Sequence, residues 1–198
     1  MAAPASPAQR FPPELLLRAQ GAGLGMKAAI FDVDGVLTDG TLWIGEHGEA
    51  FKPFSVLDGH GLKLLAQGGI EPLVVTGRDS AAVRRRLADL GIGRAHFGAQ
   101  DKLAAAARLL AAAGLDWSEV AAIGDDWPDL PLLERAGFAA APPDAHAEVR
   151  AAVHYVTAAR AGAGAAREFC DLLLMAGGRY AALLDAQRAG GGGTLDVR

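Results

Sequence analysis

The 198-residue chain has one cysteine, Cys170, so no internal disulfide can staple it, and a reducing compartment suits it. That cysteine sits in the apolar run Phe169-Cys170-Asp171-Leu172-Leu173-Leu174, which reads as packed core rather than reactive thiol. Nothing approaches the roughly 18 consecutive apolar residues of a membrane span. The first twenty residues contain Ala, Pro and Arg but no continuous apolar stretch, which argues against a secretory signal. These absences lead to the expectation of a cytoplasmic protein with no membrane partner. Positive charge is also scarce: a formal charge of −4 argues against a general nucleic-acid surface. An acidic protein that handles an anion must attract it locally, with a metal and a few well-placed cations.

Apolar material is ample, at 51% of residues, enough for the core of one domain. Buried strands are expected at 28–31, 71–75, 95–97, 119–123 and 137–140, with an edge segment at 155–156. Helices are expected at 13–19, after Asp58-Gly59-His60-Gly61, behind an Asp79 or Ser80 cap, and at 101–113 with Leu103, Ala107 and Leu110 inward. Others follow at 128–135, 144–152 and 166–175. Residues 41–44 and 49–54 flank Gly45-Glu46-His47-Gly48 and read as a β-hairpin with a four-residue loop. Its aromatics Trp43, Phe51 and Phe54 need a partner surface. Strands alternating with helices imply an α/β fold, a doubly wound parallel sheet that binds ligands beyond the carboxyl ends of its strands. The expected layout is an N-terminal tail with a short helix (1–25), one folded domain (26–178) and a mobile Gly-rich tail (179–198). Residues 1–12 are expected to be disordered. Gly21, Gly23 and Gly25 have the spacing of a dinucleotide loop but precede the first strand, where such a loop has no function.

The stretch Ile30-Phe31-Asp32-Val33-Asp34-Gly35-Val36-Leu37-Thr38 carries the chemistry. A buried strand ends in two carboxylates one residue apart, and burying both is costly without a cation between them. A hard divalent ion such as Mg²⁺, which takes oxygen ligands, supplies that compensation. A carboxylate so held can attack phosphorus and form an aspartyl phosphate. Thr76 ends the second strand, Asp125 and Asp126 end the fourth, and Lys102 starts a helix on the same edge. In that setting Asp32 attacks, while Asp34 protonates the leaving oxygen and later activates water. Thr76 holds phosphate oxygens, Lys102 offsets charge and Asp125 completes the metal shell. Lys102 is misplaced for the helix dipole, which favours cations at the other end, and this adds weight to a site role.

These four ordered segments (Asp-Val-Asp-Gly-Val-Leu-Thr, Val75-Thr76-Gly77-Arg78, Lys102 and Gly124-Asp125-Asp126) resemble the motifs of the haloacid dehalogenase-like phosphatases. Thr38-Asp39-Gly40, the hairpin, Leu57-Asp58-Gly59, Asp129-Leu130-Pro131 and residues 165–172 resemble one branch, the 3-deoxy-D-manno-octulosonate 8-phosphate phosphatases. The resemblance implies a Rossmann-like fold without a cap domain and a Mg²⁺-dependent phosphomonoesterase serving lipopolysaccharide precursor synthesis. It implies metal binding by the Asp32 and Asp125 side chains and the Asp34 main-chain carbonyl. It also places Thr38, Asp58, Gly77 and Arg78 at a phosphorylated sugar acid. Members of the branch are homotetramers whose hairpins associate centrally, which would bury Trp43, Phe51 and Phe54. Only 43 residues separate Asp32 from Thr76, and 25 separate Thr76 from Lys102, too few for a cap as well as the hairpin. The run Arg84-Arg85-Arg86 reads as a solvated helix face.

One departure stands out. Many members carry Gly-Gly-Arg-Gly before the last helix, where this chain has Ala161-Gly162-Ala163-Gly164, with Arg160 nearby. That keeps open another sugar-acid phosphate, such as sialic acid 9-phosphate. Two rival classes are a phospho-accepting receiver module and a scaffold that has lost its chemistry. A receiver places its acceptor Asp on a central strand after an acidic pair on the first, an order this chain does not follow.

Overall fold

Four apolar residues in a row, without polar alternation, must be covered on both faces. The strand they form, β1 (Ala28–Phe31), lies inside a six-stranded parallel sheet in the computed structural model, which describes residues 8, 10–21 and 25–190. The hairpin strands are β2 (Trp43–Gly45) and β3 (Gly48–Phe51). The remaining sheet strands are β4 (Glu71–Val75), β5 (Ala95–His96), β6 (Val120–Ile123), β7 (Phe138–Ala141) and β8 (Tyr155–Val156). Their order is β5-β4-β1-β6-β7-β8, all parallel. The chain therefore winds outward from β1 in two directions, and the expected doubly wound sheet is present. The reversal of direction beside β1 leaves a crevice at the strands' carboxyl ends.

Alternate residues of β1 feed two cores. Ala29 and Phe31 face a cluster built with α1 (Pro13–Gln20), α2 (Val56–Gln67), α3 (Ala81–Leu90) and α7 (Ala165–Ala176). Ala28 and Ile30 face the other, built with α4 (Lys102–Ala113), α5 (Leu130–Leu133) and α6 (Ala147–Ala152). Phe31 meets Phe169 edge-on at 5.6 Å between ring centroids. Cys170 is fully buried in the first core, and burial raises its thiol pKa well above the usual range. Only the hairpin and α2 lie between β1 and β4, and only α3 and β5 between β4 and α4, so no cap domain is inserted. Among the described residues no helix is long and apolar enough to cross a membrane.

Several local expectations change. Helix α2 starts at Val56 with Ser55 as its cap, so Gly59 and Gly61 are helical rather than part of a loop. A Cβ on Gly61 would stand 3.0 Å from Arg167 Cα, so this glycine serves the close approach of α2 and α7. Ala107 faces solvent, whereas Leu110 is buried and Leu103 packs against the core as expected, with Ala105 and Ala106 completing the inward face of α4. In a run of alanines the apolar pattern is too weak to set the helix phase. Gly45 pairs with Gly48, leaving a two-residue hairpin loop, with Gly48 at a φ of +107°. Phe54 is not on the hairpin's open face but packs against the core. Phe11 packs edge-on against Tyr155, inside the stretch expected to be disordered. The expected C-terminal tail begins with a helix, α8 (Tyr180–Arg188), whose Leu183 also reaches the core. Gly23 and the expected mobile segments 1–7 and 191–198 lie outside the described residues.

Candidate active site

Asp32 continues β1 past its last residue, with its amide bonded to the Ile123 carbonyl of β6. The chain then turns at Gly35, whose φ is +87°, and a Cβ there would lie 2.1 Å from Asp125 Oδ2. Only glycine allows that acid to close on the turn. Helix α4 is capped by Asp101, whose carboxylate accepts the Ala104 amide at 2.9 Å, and the first residue after the cap is Lys102. The Lys102 ammonium lies 2.9 Å from Asp32 Oδ1 and 2.7 Å from Asp129 Oδ1. All three side chains are almost fully buried.

Asp129 is a residue that sequence reasoning did not assign to the site. A 3₁₀ turn, Trp127–Asp129, brings it back beneath the end of β6. Its second oxygen accepts the amides of Asp125 and Asp126, each at 3.3 Å. Gly124 permits this, because a Cβ there would sit 2.6 Å from Asp129 Cβ. The signal was present in the spacing Gly124-Asp125-Asp126-Trp127-Pro128-Asp129, since a proline after two acids favours a tight turn that returns the third.

The carboxylates outnumber their cation. Oxygens of Asp32, Asp125 and Asp129 all lie within 4.8 Å of one another, with Lys102 as the ammonium among them. Burial first, then the Asp129 charge, pushes the Asp32 pKa up to about 7 against the pull of Lys102. Burial and the charges of Asp32 and Asp129 push Asp125 up to about 8. Burial alone would lower the Lys102 pKa, but Asp32 and Asp129 reverse this and hold it above its usual value. An excess of buried carboxylate oxygen is the donor set that a hard divalent cation requires. The residues present therefore fit Mg²⁺.

Above the cluster lies an open cavity of about 520 Å³, lined among others by Asp32, Asp34, Gly77, Arg78, Lys102 and Asp125. Asp34 is partly exposed to it and bonds Lys52 from the hairpin, with Arg78 Nε 3.8 Å from its other oxygen. Thr76 is buried at the end of β4, where its hydroxyl accepts the Arg78 amide at 3.4 Å, and Gly77 and Arg78 continue into the cavity wall.

Two residues expected at the substrate stand elsewhere. Asp58 is buried and accepts the Gly164 and Arg167 amides at 3.2 and 2.8 Å, which fixes the start of α7. Thr38 is fully buried, donates to the Val33 carbonyl and accepts the Gly40 amide, which holds the turn. Neither lines the cavity, nor does Thr76 itself, whose neighbours Gly77 and Arg78 do. In the loop before α7, Gly162 at φ +62° donates to the Val36 carbonyl, and a Cβ on it would meet Asp39 N at 2.6 Å. Arg160 is exposed, 3.5 Å from Asp144. Of the arginine run, Arg84 and Arg85 pair with Asp79 and Asp89 at the surface, whereas Arg86 turns inward to the Ser55 carbonyl.

Residues 96–169 match the haloacid dehalogenase-like hydrolases. The 3-deoxy-D-manno-octulosonate 8-phosphate phosphatase of Escherichia coli K12 is 41% identical over 154 residues, 78% of this chain and 82% of that protein. The chain belongs to this phosphatase family. Among solved structures, the Moraxella catarrhalis 3-deoxy-D-manno-octulosonate 8-phosphate phosphatase, in complex with magnesium, phosphate and KDO, superposes with a TM-score of 0.83. It is 38% identical, and the match covers 88% of this chain and 98% of that one. The cobalt-bound Haemophilus influenzae phosphatase gives 0.80 at 40% identity, over 88% and 98%. The chain is thus a phosphoric monoester hydrolase of the haloacid dehalogenase type, and the receiver and scaffold classes fall away.

Proposed function

We propose that the chain hydrolyses 3-deoxy-D-manno-octulosonate 8-phosphate to the free sugar acid and phosphate with Mg²⁺ as cofactor, a step serving lipopolysaccharide precursor synthesis. The observation that carries this is the buried Asp32–Lys102–Asp129 cluster under a cavity whose rim holds Asp34 and Arg78. The substrate of the relatives supplies the sugar acid.

Asp32 Oδ attacks phosphorus, forming its bond to the carboxylate as the bond to the sugar oxygen breaks. Lys102 offsets charge on Asp32 and on the transferring group. Asp34 gives its proton to the departing sugar oxygen, then takes one from the water that cleaves the aspartyl phosphate. The Thr76 hydroxyl, with the amides around Gly77, orients the phosphoryl oxygens. Arg78, at the rim, meets the anionic sugar acid. Asp32 and Asp125 would hold Mg²⁺ by side chain and Asp34 by its main-chain carbonyl, and the ion supplies positive charge to the phosphoryl oxygens.

A homotetramer in the cytoplasm completes the reading. Every residue of β2 and β3 is exposed, and Trp43 and Phe51, stacked at 5.0 Å between ring centroids, keep 47% and 55% of their surface open. Such a patch is what a second subunit would bury.

The test is phosphate release with Mg²⁺ from 3-deoxy-D-manno-octulosonate 8-phosphate, N-acetylneuraminate 9-phosphate, hexose phosphates and p-nitrophenyl phosphate. Strong preference for the first is expected. Preference for the nine-carbon ester would overturn the substrate and trace it to the loop at 161–164. Even, weak release across the panel would also overturn it.

A further inference from the structure

Lys52 follows the hairpin's second strand, where a lysine ordinarily reaches solvent, yet its side chain is 1% exposed. Its ammonium donates to Asp34 Oδ1 and lies 3.2 Å from Glu49 Oε2. The other Glu49 oxygen accepts the Ser80 hydroxyl, and Ser80 also caps α3 by accepting the Val83 amide. A line of polar contacts therefore runs from the α3 cap, through the hairpin, to the acid that faces the cavity. Burying an ammonium is costly unless its partners are well placed. Glu49 sits on the hairpin itself and reaches the body through Ser80, so the contact that Lys52 makes outside the hairpin is with Asp34.

We propose that Lys52 is a positioning residue for the reaction: clamped by Glu49, it aims the Asp34 carboxyl group at the leaving oxygen. This rests on the phosphatase reading above, in which Asp34 protonates the departing sugar. Lys52 does not line the cavity, so it acts through Asp34 and not on the substrate. Glu49 balances the ammonium, so Lys52 contributes direction with little net charge. Arg78 does not replace it, because its contact with Asp34 is 3.8 Å and its side chain is 54% exposed. Without Lys52 the Asp34 side chain is free to leave its rotamer, and a misplacement of about 1 Å costs on the order of 10²-fold.

The test compares two leaving groups in the Mg²⁺-loaded enzyme. A sugar alkoxide must be protonated as it departs, whereas p-nitrophenolate departs without a proton. Lys52→Met keeps the chain length and removes the donor. In single turnovers it should release the sugar from 3-deoxy-D-manno-octulosonate 8-phosphate about 10²-fold more slowly. Release of p-nitrophenolate should fall by less than about threefold, since only the acid role is lost. KM should stay close to wild type, and Lys52→Arg should recover part of the rate. Glu49→Gln, which loosens the clamp at a side chain 23% exposed, should give the same pattern at smaller amplitude and serves if Lys52→Met does not fold. Equal losses on both esters, or a loss carried by KM, would overturn the role of Lys52. Absence of release from either ester by the wild-type enzyme would instead overturn the phosphatase reading.

Discussion

Asp32, Lys102 and Asp129 hide within the edge of the sheet with 5%, 7% and 2% of their side chains exposed, whereas every residue of the two adjoining hairpin strands faces solvent. At the edge, charge is buried and every partner comes from the same chain. In the hairpin, apolar surface is exposed, and the proposed tetramer is what would cover it. In the proposed mechanism the reacting groups have to keep their geometry between turnovers, which strand ends and a capped helix held by packing provide. A surface proposed for association has no such requirement. The two regions meet at Lys52, the hairpin residue that turns inward to Asp34.

This contrast yields predictions of descending size. Asp32→Asn removes the attacking charge, so kcat should fall by at least about 10⁴-fold while the melting curve stays cooperative. Lys102→Ala should cost about 10²–10³-fold in kcat, the scale of one lost transition-state donor, with helix content by circular dichroism unchanged. Asp129→Asn, which leaves Lys102 with one partner, should cost about 10–100-fold, checked by steady-state kinetics and Mg²⁺ titration. Adding Mg²⁺ to chelated protein should raise stability by about 2.7 kcal/mol at a hundredfold excess over Kd, because the ion binds the folded carboxylates. Asp125→Asn should erase that rise, read by calorimetry. The joint change Trp43→Ser and Phe51→Ser should leave the subunit folded, with an unchanged circular dichroism spectrum, since both rings are exposed on the single subunit. It should nevertheless lower the mass seen by light scattering. An unchanged mass would mean that the hairpin is not the association surface.

Much of this was legible in the sequence where one signal dominated. β1 and β4 fall on their expected bounds because unbroken apolar runs end in Asp or Thr-Gly. Lys102 was legible because a cation at a helix start contradicts the dipole. The rest depends on contacts across the chain. Asp58 has the appearance of a site acid, but three-dimensional packing sends it to the amides of α7, more than a hundred residues away. Asp129 was signalled only by the short turn after Asp125-Asp126, and Lys52, at a strand end, by no local pattern that reports its burial. Gly59 and Gly61 carried the signal of a loop, whereas their cause is the closeness of a neighbouring helix.

The decisive measurement is to quench the enzyme within its first turnovers of 3-deoxy-D-manno-octulosonate 8-phosphate and Mg²⁺, then locate the phosphoryl group by peptide mass spectrometry. A phosphoryl adduct on Asp32, lost in Asp32→Asn, is the expected result. Turnover without an adduct, or an adduct on Asp34 or Asp125, would contradict the assignment of Asp32 as nucleophile.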